Sequence, residues 1–383
     1  MKNNKRRRSV TVVGLVGYNL GDEAIALAVL KRLQCYASVK VVSFQKNAIN
    51  KYGYDELYFS PRSLTAWVRL LWSIAVSDVV VVGGGSLVQD KLGGSFCSGT
   101  IGYLNIVTFA SSLFQKFLVS LPIGVDDLAS CHYSLAKSIL VRFDHLFVRD
   151  ERSRLNVLKY SDGMLDPVVV PDPVFDKHHE MYSKTATGVS DMSFDFSDPY
   201  ICVALAKENT LREDSLIVHE IVESIEGWLS FGYKVVLLSM DSRGSDEIRI
   251  YENMMSLALS KGLEVEGRLF IYTPSNVEGA VRCVRNASFM LAMRLHAMII
   301  GYSYVSMFCL SRTTKTQAFC EEHGVRFVDI DSSGALPPAV LSNLVSCSFA
   351  ELSNKVDSKL LCEKQEKLNS YFDFLVSLVE GGR

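Results

Sequence analysis

The chain has 383 residues, 48% of them hydrophobic and 21% charged, with a formal net charge of −2. Such a composition excludes a disordered chain and predicts soluble globular structure with sizeable cores, in two domains or at most three. The near-neutral balance also argues against a nucleic-acid binder, which carries a basic excess.

The one basic run, Lys5-Arg6-Arg7-Arg8, leads into Ser9-Val10-Thr11-Val12-Val13-Gly14. Its apolar sequel is short, lacks an Ala-x-Ala-like cleavage site and runs into a glycine loop, so it reads as a first β-strand and not as an export signal. The run is a candidate peripheral contact for anionic lipid, with a solvated tail as the plainer reading. Residues 10–16 are a β-branched strand. Gly17-Tyr18-Asn19-Leu20-Gly21-Asp22-Glu23 then opens a helix whose apolar positions recur at helical spacing. Glycines there let a ligand approach the backbone, and the exposed N–H groups of a helix start favour an anion. The spacing of Gly14, Gly17 and Gly21 fits neither Gly-x-Gly-x-x-Gly nor a Walker loop. Asp22 has two readings, an N-cap and a catalytic carboxylate.

A strand at 39–44, a helix at 63–75 and a strand at 78–82 follow, the last ending in Gly83-Gly84-Gly85-Ser86-Leu87-Val88-Gln89-Asp90. Three glycines in a row cost chain entropy, which a tight loop lining a ligand site would explain. Further strands are expected within 117–122, at 145–148 before Arg149-Asp150-Glu151, and at 168–170 before Asp172-Pro173. The β/α alternation predicts a doubly wound parallel sheet.

Residues 176–198 turn polar without periodicity and read as a linker, dividing an N-terminal domain at 1–175 from a C-terminal one at 199–383. The second series has strands at 200–204, 234–238, 270–272, 288–291 and 304–307, with helices between them. It ends in amphipathic helix over 351–378. Around 288–300 a short buried strand runs into Arg294-Leu295-His296 and on into an apolar helix. Arginine matches carboxylate or phosphate oxygens bidentately, and histidine exchanges protons near neutral pH, so one turn offers an anion clamp beside an acid or base. A charge between two apolar runs is costly unless something pairs with it. The fold expected is α/β, two Rossmann-like doubly wound domains facing a central cleft, the GT-B arrangement.

Nine cysteines stand singly, which predicts reduced thiols in the cytoplasm. No metal-ligand spacing is found, and His178-His179 reads as chance adjacency in a polar loop. No cofactor is called for.

Five motifs, Gly17-Tyr18-Asn19-Leu20-Gly21-Asp22-Glu23, Gly83-Gly84-Gly85 with Asp90, Val148-Arg149-Asp150-Glu151 with Ser153, Asp172-Pro173, and Arg294-Leu295-His296, occur in the order and rough spacing of the polysaccharide pyruvyl transferase family, which the chain resembles over 10–328. Leu121-Pro122-Ile123-Gly124-Val125 departs from the family's glycine-rich stretch, while Lys315 sits where many members carry a lysine. The resemblance implies transfer of a pyruvyl group from phosphoenolpyruvate to a sugar of a polysaccharide or a lipid-linked oligosaccharide, forming a cyclic ketal and releasing phosphate. In that reading His296 is the acid, Arg294 and Lys315 hold the donor, and Asp22 is a base. Gly17, Asn19, Gly21, Gly83, Gly84, Gly85 and Arg149 line the substrate site. It implies a cytoplasmic enzyme, at the inner face of the membrane where the acceptor is lipid-linked. Two other readings are a GT-B glycosyltransferase using a nucleotide sugar and a catalytically silent scaffold on the same fold.

Overall fold

The structure is a computed structural model that describes residues 7–14, 16–90, 98–176, 198–206, 215–241, 246–330, 336–337, 340–346 and 356–381. The chain forms two compact units, one of residues 1–179 with 359–383 and one of 180–358. The expected linker at 176–198 and the His178-His179 pair fall almost wholly outside the described residues.

The first unit contains β1 (Arg8–Val13), β2 (Ala37–Ser43), β3 (Asp55–Tyr58), β4 (Val79–Val82), β5 (Ser86–Val88), β6 (Phe117–Ser120), β7 (Gly124–Val125), β8 (Phe147–Val148) and β9 (Val168–Val169). Five of these make a parallel sheet in the order β3-β2-β1-β4-β6, while β5 pairs β7 and β8 pairs β9. Val10 to Val13 of β1 lie between Val39 to Val42 and Val79 to Val82. A strand flanked on both sides and covered on both faces reads as a continuous apolar run, which is what Val79–Val82 is. From β1 the chain moves to β2 and β3, then crosses back to β4 and β6. The order therefore reverses between β1 and β4.

The second unit holds β10 (Tyr200–Ala204), β11 (Lys234–Leu238), β12 (Leu269–Tyr272), β13 (Phe289–Ala292), β14 (Met307–Ser311) and β15 (Arg326–Asp329) in one parallel sheet, ordered β12-β11-β10-β13-β14-β15. Its reversal lies between β10 and β13. Trp228, Tyr251 and Phe289 are fully buried in the core around these strands. The Tyr251 hydroxyl accepts from Leu205 N at 2.9 Å and donates to Leu238 O at 2.8 Å, tying together the carboxyl ends of β10 and β11.

The strand expected at 304–307 starts later. Tyr304 N and Val305 N both bond Gly301 O, so those residues finish the preceding helical turn and Met307–Ser311 forms the strand. Of the four edge strands, β3 and β15 escaped the sequence reading. Each is four residues long, β3 opening on Asp55 and Glu56 and β15 bounded by Arg326 and Asp329.

The last helix, Ser358–Glu380, differs from the sequence reading in its place. It belongs to the first unit and not to a C-terminal domain reaching 383. Its buried stripe of Leu368, Tyr371, Phe372, Leu375 and Leu378 covers the first sheet, with Tyr371 Oη donating to Ser120 O at 3.0 Å. Phe372 lies 5.0 Å beneath the Arg32 guanidinium, and Gln365 and Arg32 both donate to Asp176. Periodicity shows that a helix has an apolar face but not which sheet that face meets.

This placement makes a prediction. Truncating a fully buried phenylalanine costs about 3–5 kcal/mol, so Phe372→Ala should lower the stability of the first unit by that order. Hydrogen exchange should show amides of Phe117–Ser120 losing protection while those of Tyr200–Ala204 keep theirs. The reverse pattern would return the helix to the second unit.

Candidate active site

Loops leaving adjacent parallel strands in opposite directions leave an uncovered crevice between them, the usual ligand position in open α/β sheets. In the first unit the two loops are those after β1 and β4. Gly14 lies so close to Gly83 that a Cβ on it would stand 1.8 Å from the Gly83 oxygen. Gly83 is itself packed on Leu121. Gly84 and Gly85 have φ of +108° and +70°, in the left-handed region that favours glycine. A Cβ on Gly84 would meet nothing within 4 Å, whereas one on Gly85 would meet Asp22 Oδ1 at 2.9 Å. Gly84 thus borders open space and Gly85 backs onto Asp22.

Asp22 is not the cap of its helix. Asn19 caps Leu20–Leu33, its Oδ1 accepting from Asp22 N at 3.0 Å while its Nδ2 donates to Asp22 Oδ2 at 2.6 Å. A buried carboxylate therefore occupies the helix start that the sequence reading left for a substrate anion, and the electrostatic preference of that terminus for negative charge is already met. Gly21 is buried inside the first helical turn and lines no loop. Gly17 has φ of +97° and lies against Gln45.

In the second unit the loop after β13 carries Arg294 and His296, both half-buried, where helix Leu295–Gly301 begins. The next strand over, β14, ends in Ser311 and leads through Arg312 and the N-cap Thr313 to Lys315 on the first turn of Thr314–His323. Because Met290 to Ala292 pair Met307 to Cys309, Arg294, His296 and Lys315 stand at one sheet edge. Arg294 Nη2 donates to Glu247 Oε1. Glu247 is buried, and its Oε2 accepts from Met240 N at 2.9 Å, Asp241 N at 3.0 Å and Ser239 Oγ at 3.1 Å. Helix Asp246–Ser260 thus anchors a carboxylate at the end of β11, and that carboxylate fixes one edge of the arginine fork.

The family model for polysaccharide pyruvyl transferases matches residues 19–304, a span of more than half of the chain that includes the triple glycine, Arg294 and His296. The chain belongs to the polysaccharide pyruvyl transferase family. No curated protein matches it. Among solved structures, a UDP-GlcNAc 2-epimerase from Methanocaldococcus jannaschii aligns over 96% of this chain and 99% of its own at 13% identity, with a TM-score of 0.60. S. aureus MnaA, solved with UDP, aligns over 96% and 97% at 13% identity and TM-score 0.61. Anabaena HepE, solved with UDP-glucose, aligns over 97% and 95% at 10% identity and TM-score 0.55. At these identities the likeness shows the fold alone, two Rossmann-like α/β domains of the GT-B kind.

For this pyruvyl transferase family member, the structure buries Arg149, which the sequence reading set among the residues lining the substrate site. Its Nη2 donates to Ser86 Oγ at 2.9 Å and its Nε to Asp150 Oδ2 at 3.3 Å, against Gly124. It ties the triple-glycine loop to the start of helix Glu151–Tyr160, which Asp150 caps. Sequence reasoning missed Glu247 and His132. The signal for Glu247 was the demand of Arg294 for a counter-charge; the sequence held no means of choosing which carboxylate supplies it. His132 Nδ1 stands 2.9 Å from Asp90 Oδ2, which also accepts from Ala129 N at 2.8 Å. Among the described residues no group of three or more His, Cys, Asp or Glu could hold a metal ion.

Asp90 gives a pH prediction. Burial pushes its carboxyl up, but the Ala129 amide and His132 together outweigh that and hold it below the usual range. Its contribution to stability is therefore complete above the unfolded carboxylate value of about 3.9 and is lost as pH falls through its lower folded value. Asp90→Asn should give a shallower loss of stability below about pH 4, read by denaturant unfolding at successive pH steps. An unchanged acid limb would mean that the Asp90–His132 pair does not contribute to stability.

Glu247 gives a second. Glu247 is buried and its Oε2 accepts three hydrogen bonds, and leaving a buried donor without its acceptor costs about 1–3 kcal/mol. Glu247→Ala should destabilise the second unit by that order in chemical unfolding, and a cost within 0.5 kcal/mol or so, the range of an ordinary surface substitution, would show that the carboxylate anchors nothing.

Proposed function

We propose that this family member transfers the pyruvyl group of phosphoenolpyruvate to a hexose of a cell-surface polysaccharide or of its lipid-linked precursor, closing a ketal on two hydroxyls and releasing phosphate. The observation that carries the reading is the convergence of Arg294, His296 and Lys315 on one edge of the second sheet, beside its strand-order reversal. The donor carries a phosphate and a carboxylate, and charge-assisted contacts to an arginine fork and a lysine are the means of holding such a pair. Family membership supplies the reaction class.

The chemistry needs an acid and then a base. Protonation of the donor's methylene carbon makes the neighbouring carbon electrophilic, and one sugar hydroxyl adds there. Cleavage of the carbon–oxygen bond expels phosphate, and the second hydroxyl closes the ring. Of the two hydroxyl protons, one replaces that delivered to carbon and the other leaves with phosphate. His296 is the proposed acid, since histidine holds a transferable proton near neutral pH. Asp22, at the first unit's crevice beside Gly85, is the proposed base. Asn19 and Gly84 are the proposed acceptor contacts there. No cofactor enters the proposal, and the reducing cytoplasm is the proposed compartment for the scattered thiols.

The fold likeness to proteins solved with UDP and UDP-glucose favours one other reading, a glycosyltransferase using a nucleotide sugar. The products separate them. Incubation with phosphoenolpyruvate and a polysaccharide acceptor should release inorganic phosphate and add the mass of a pyruvate ketal. Release of a nucleoside diphosphate from a nucleotide sugar would instead establish the second reading.

Contacts to a charged group are typically worth about 1.5–3 kcal/mol, so Arg294→Ala should weaken phosphoenolpyruvate binding by roughly tenfold or more. That variant also leaves Glu247 buried without its cation. Arg294→Lys keeps the charge while losing the fork, and it should show a smaller but definite loss in calorimetry. Unchanged donor affinity in both would remove Arg294 from the donor site. His296→Asn should lose about 10²-fold in turnover, a usual share for general acid catalysis, with donor affinity little altered. A deficit wholly in affinity would make His296 a binding residue.

A further inference from the structure

The first unit has a surface that its proposed chemistry does not use. Helix Leu64–Val76 shows Leu64, Val68, Trp72 and Val76 to solvent, at 79, 60, 68 and 49% exposure. Residues four apart lie on one face, so these form a single stripe about 18 Å long. The neighbouring helix Gly99–Leu113 adds exposed Phe109 and Leu113, with Phe114 just beyond its end. The helices pack together beneath this face, where the Trp67 and Tyr103 rings lie 6.2 Å apart.

The two helices themselves carry charge of one sign only. Neither helix contains an Asp or Glu, while Arg69 lies in the stripe and Arg62 stands exposed just before it. Arg142 lies over the Phe109 ring at 5.5 Å. At the same end a recess of about 550 Å³ is lined by Arg8, Lys116 and Arg142 together with Asp78 and Asp144. Each of those carboxylates already accepts from a backbone amide, Asp78 from Ser9 N and Asp144 from Leu118 N, both at 2.7 Å.

We propose that this face docks the first unit onto an anionic lipid surface, with the stripe in the acyl boundary and the recess taking a phosphate headgroup. An apolar face rimmed by Lys and Arg and carrying a Trp is the pattern of an interfacial helix, strengthened by negative lipid. A second copy fits less well. A two-fold interface sets the same patch against itself, so Arg62 and Arg69 would meet their own charges. The inference rests on the exposed residues and holds whatever group the enzyme transfers. No helix among the described residues is long and apolar enough to cross a membrane.

The test is flotation of the full chain with vesicles of phosphatidylcholine, alone and with about a third phosphatidylglycerol. The expected result is partition onto the anionic vesicles, tenfold or more weaker on neutral ones and in high salt. Val68→Glu with Trp72→Glu should cut partition at least tenfold, and Arg69→Glu with Lys116→Glu should remove the preference for phosphatidylglycerol. If the first pair disturbs the circular dichroism spectrum, quenching by brominated lipid serves instead: it should dim the wild type and lose that component in Trp72→Phe. The proposal is overturned if anionic vesicles bind nothing, or if binding survives the helix changes and is lost on Lys5→Glu with Arg6→Glu. Light scattering that shows a dimer broken by Val68→Glu would also overturn it, assigning the face to a second copy.

Discussion

Everything functional in this chain depends on a topological constraint of parallel sheets. A parallel strand must be reached by a crossover, and crossovers are right-handed, so a sheet that grows first one way and then the other leaves two loops diverging from adjacent strands. Both sheets do this, between β1 and β4 and between β10 and β13. The two crevices are furnished differently. In the first, backbone approaches backbone at Gly14 and Gly83, and the helix start holds the Asp22 carboxylate. The second is built from cationic and imidazole side chains on successive strand ends. A substrate anion would meet like charge in the first and opposite charge in the second, which is why the donor is assigned to the second unit.

The charges that shape these crevices are each held by named partners. Glu247 takes three hydrogen bonds on one oxygen and one from Arg294 Nη2 on the other. Glu23, fully buried one residue after Asp22, meets Lys51 Nζ at 2.8 Å and the Tyr52 hydroxyl at 3.2 Å. Arg149 spends its donors on Ser86 and Asp150. Burying an ion costs several kcal/mol before pairing, and a well-packed apolar replacement is often no less stable, so such pairs are weak evidence for stability. Their consistent effect is positional. Glu247 holds Arg294, Glu23 holds the loop after β2 against the first helix, and Arg149 holds the triple-glycine loop. Preorganisation of this kind keeps a site in its working geometry before substrate arrives.

Much of this was legible from residue order, and the remainder was not for identifiable reasons. Runs such as Val79–Val82 and Lys234–Leu238 announce buried parallel strands because both faces must be apolar. Gly83 to Gly85 and Arg294 to His296 stood out because glycine entropy and an isolated charge are costly without a purpose. Partners were invisible, since Arg294 and Glu247 are 47 residues apart and only the sheet order brings their strand ends together. Asp22 stood as a possible cap because the side chain that takes that role, Asn19, lies three residues earlier and accepts from the backbone amide of Asp22 itself. Edge strands β3 and β15 lack the long apolar run that marks a central strand.

The proteins solved with UDP and UDP-glucose share the fold with this chain and nothing finer, and because one scaffold carries many chemistries the fold does not choose a donor. The local arrangement carries more weight. Arg294 follows β13 and Lys315 opens the helix after the neighbouring strand β14, so both cations belong to one sheet edge. In phosphoenolpyruvate the phosphate oxygen and the carboxylate are borne on the same carbon. Arg294 offers the fork that suits one and Lys315 the point charge that suits the other. A nucleotide sugar would present its two phosphates as a chain and would also require a surface for a base, which Arg294, His296 and Lys315 do not provide. On this argument the two-cation edge, and not the fold around it, is what favours a small donor that bears both a phosphate and a carboxylate.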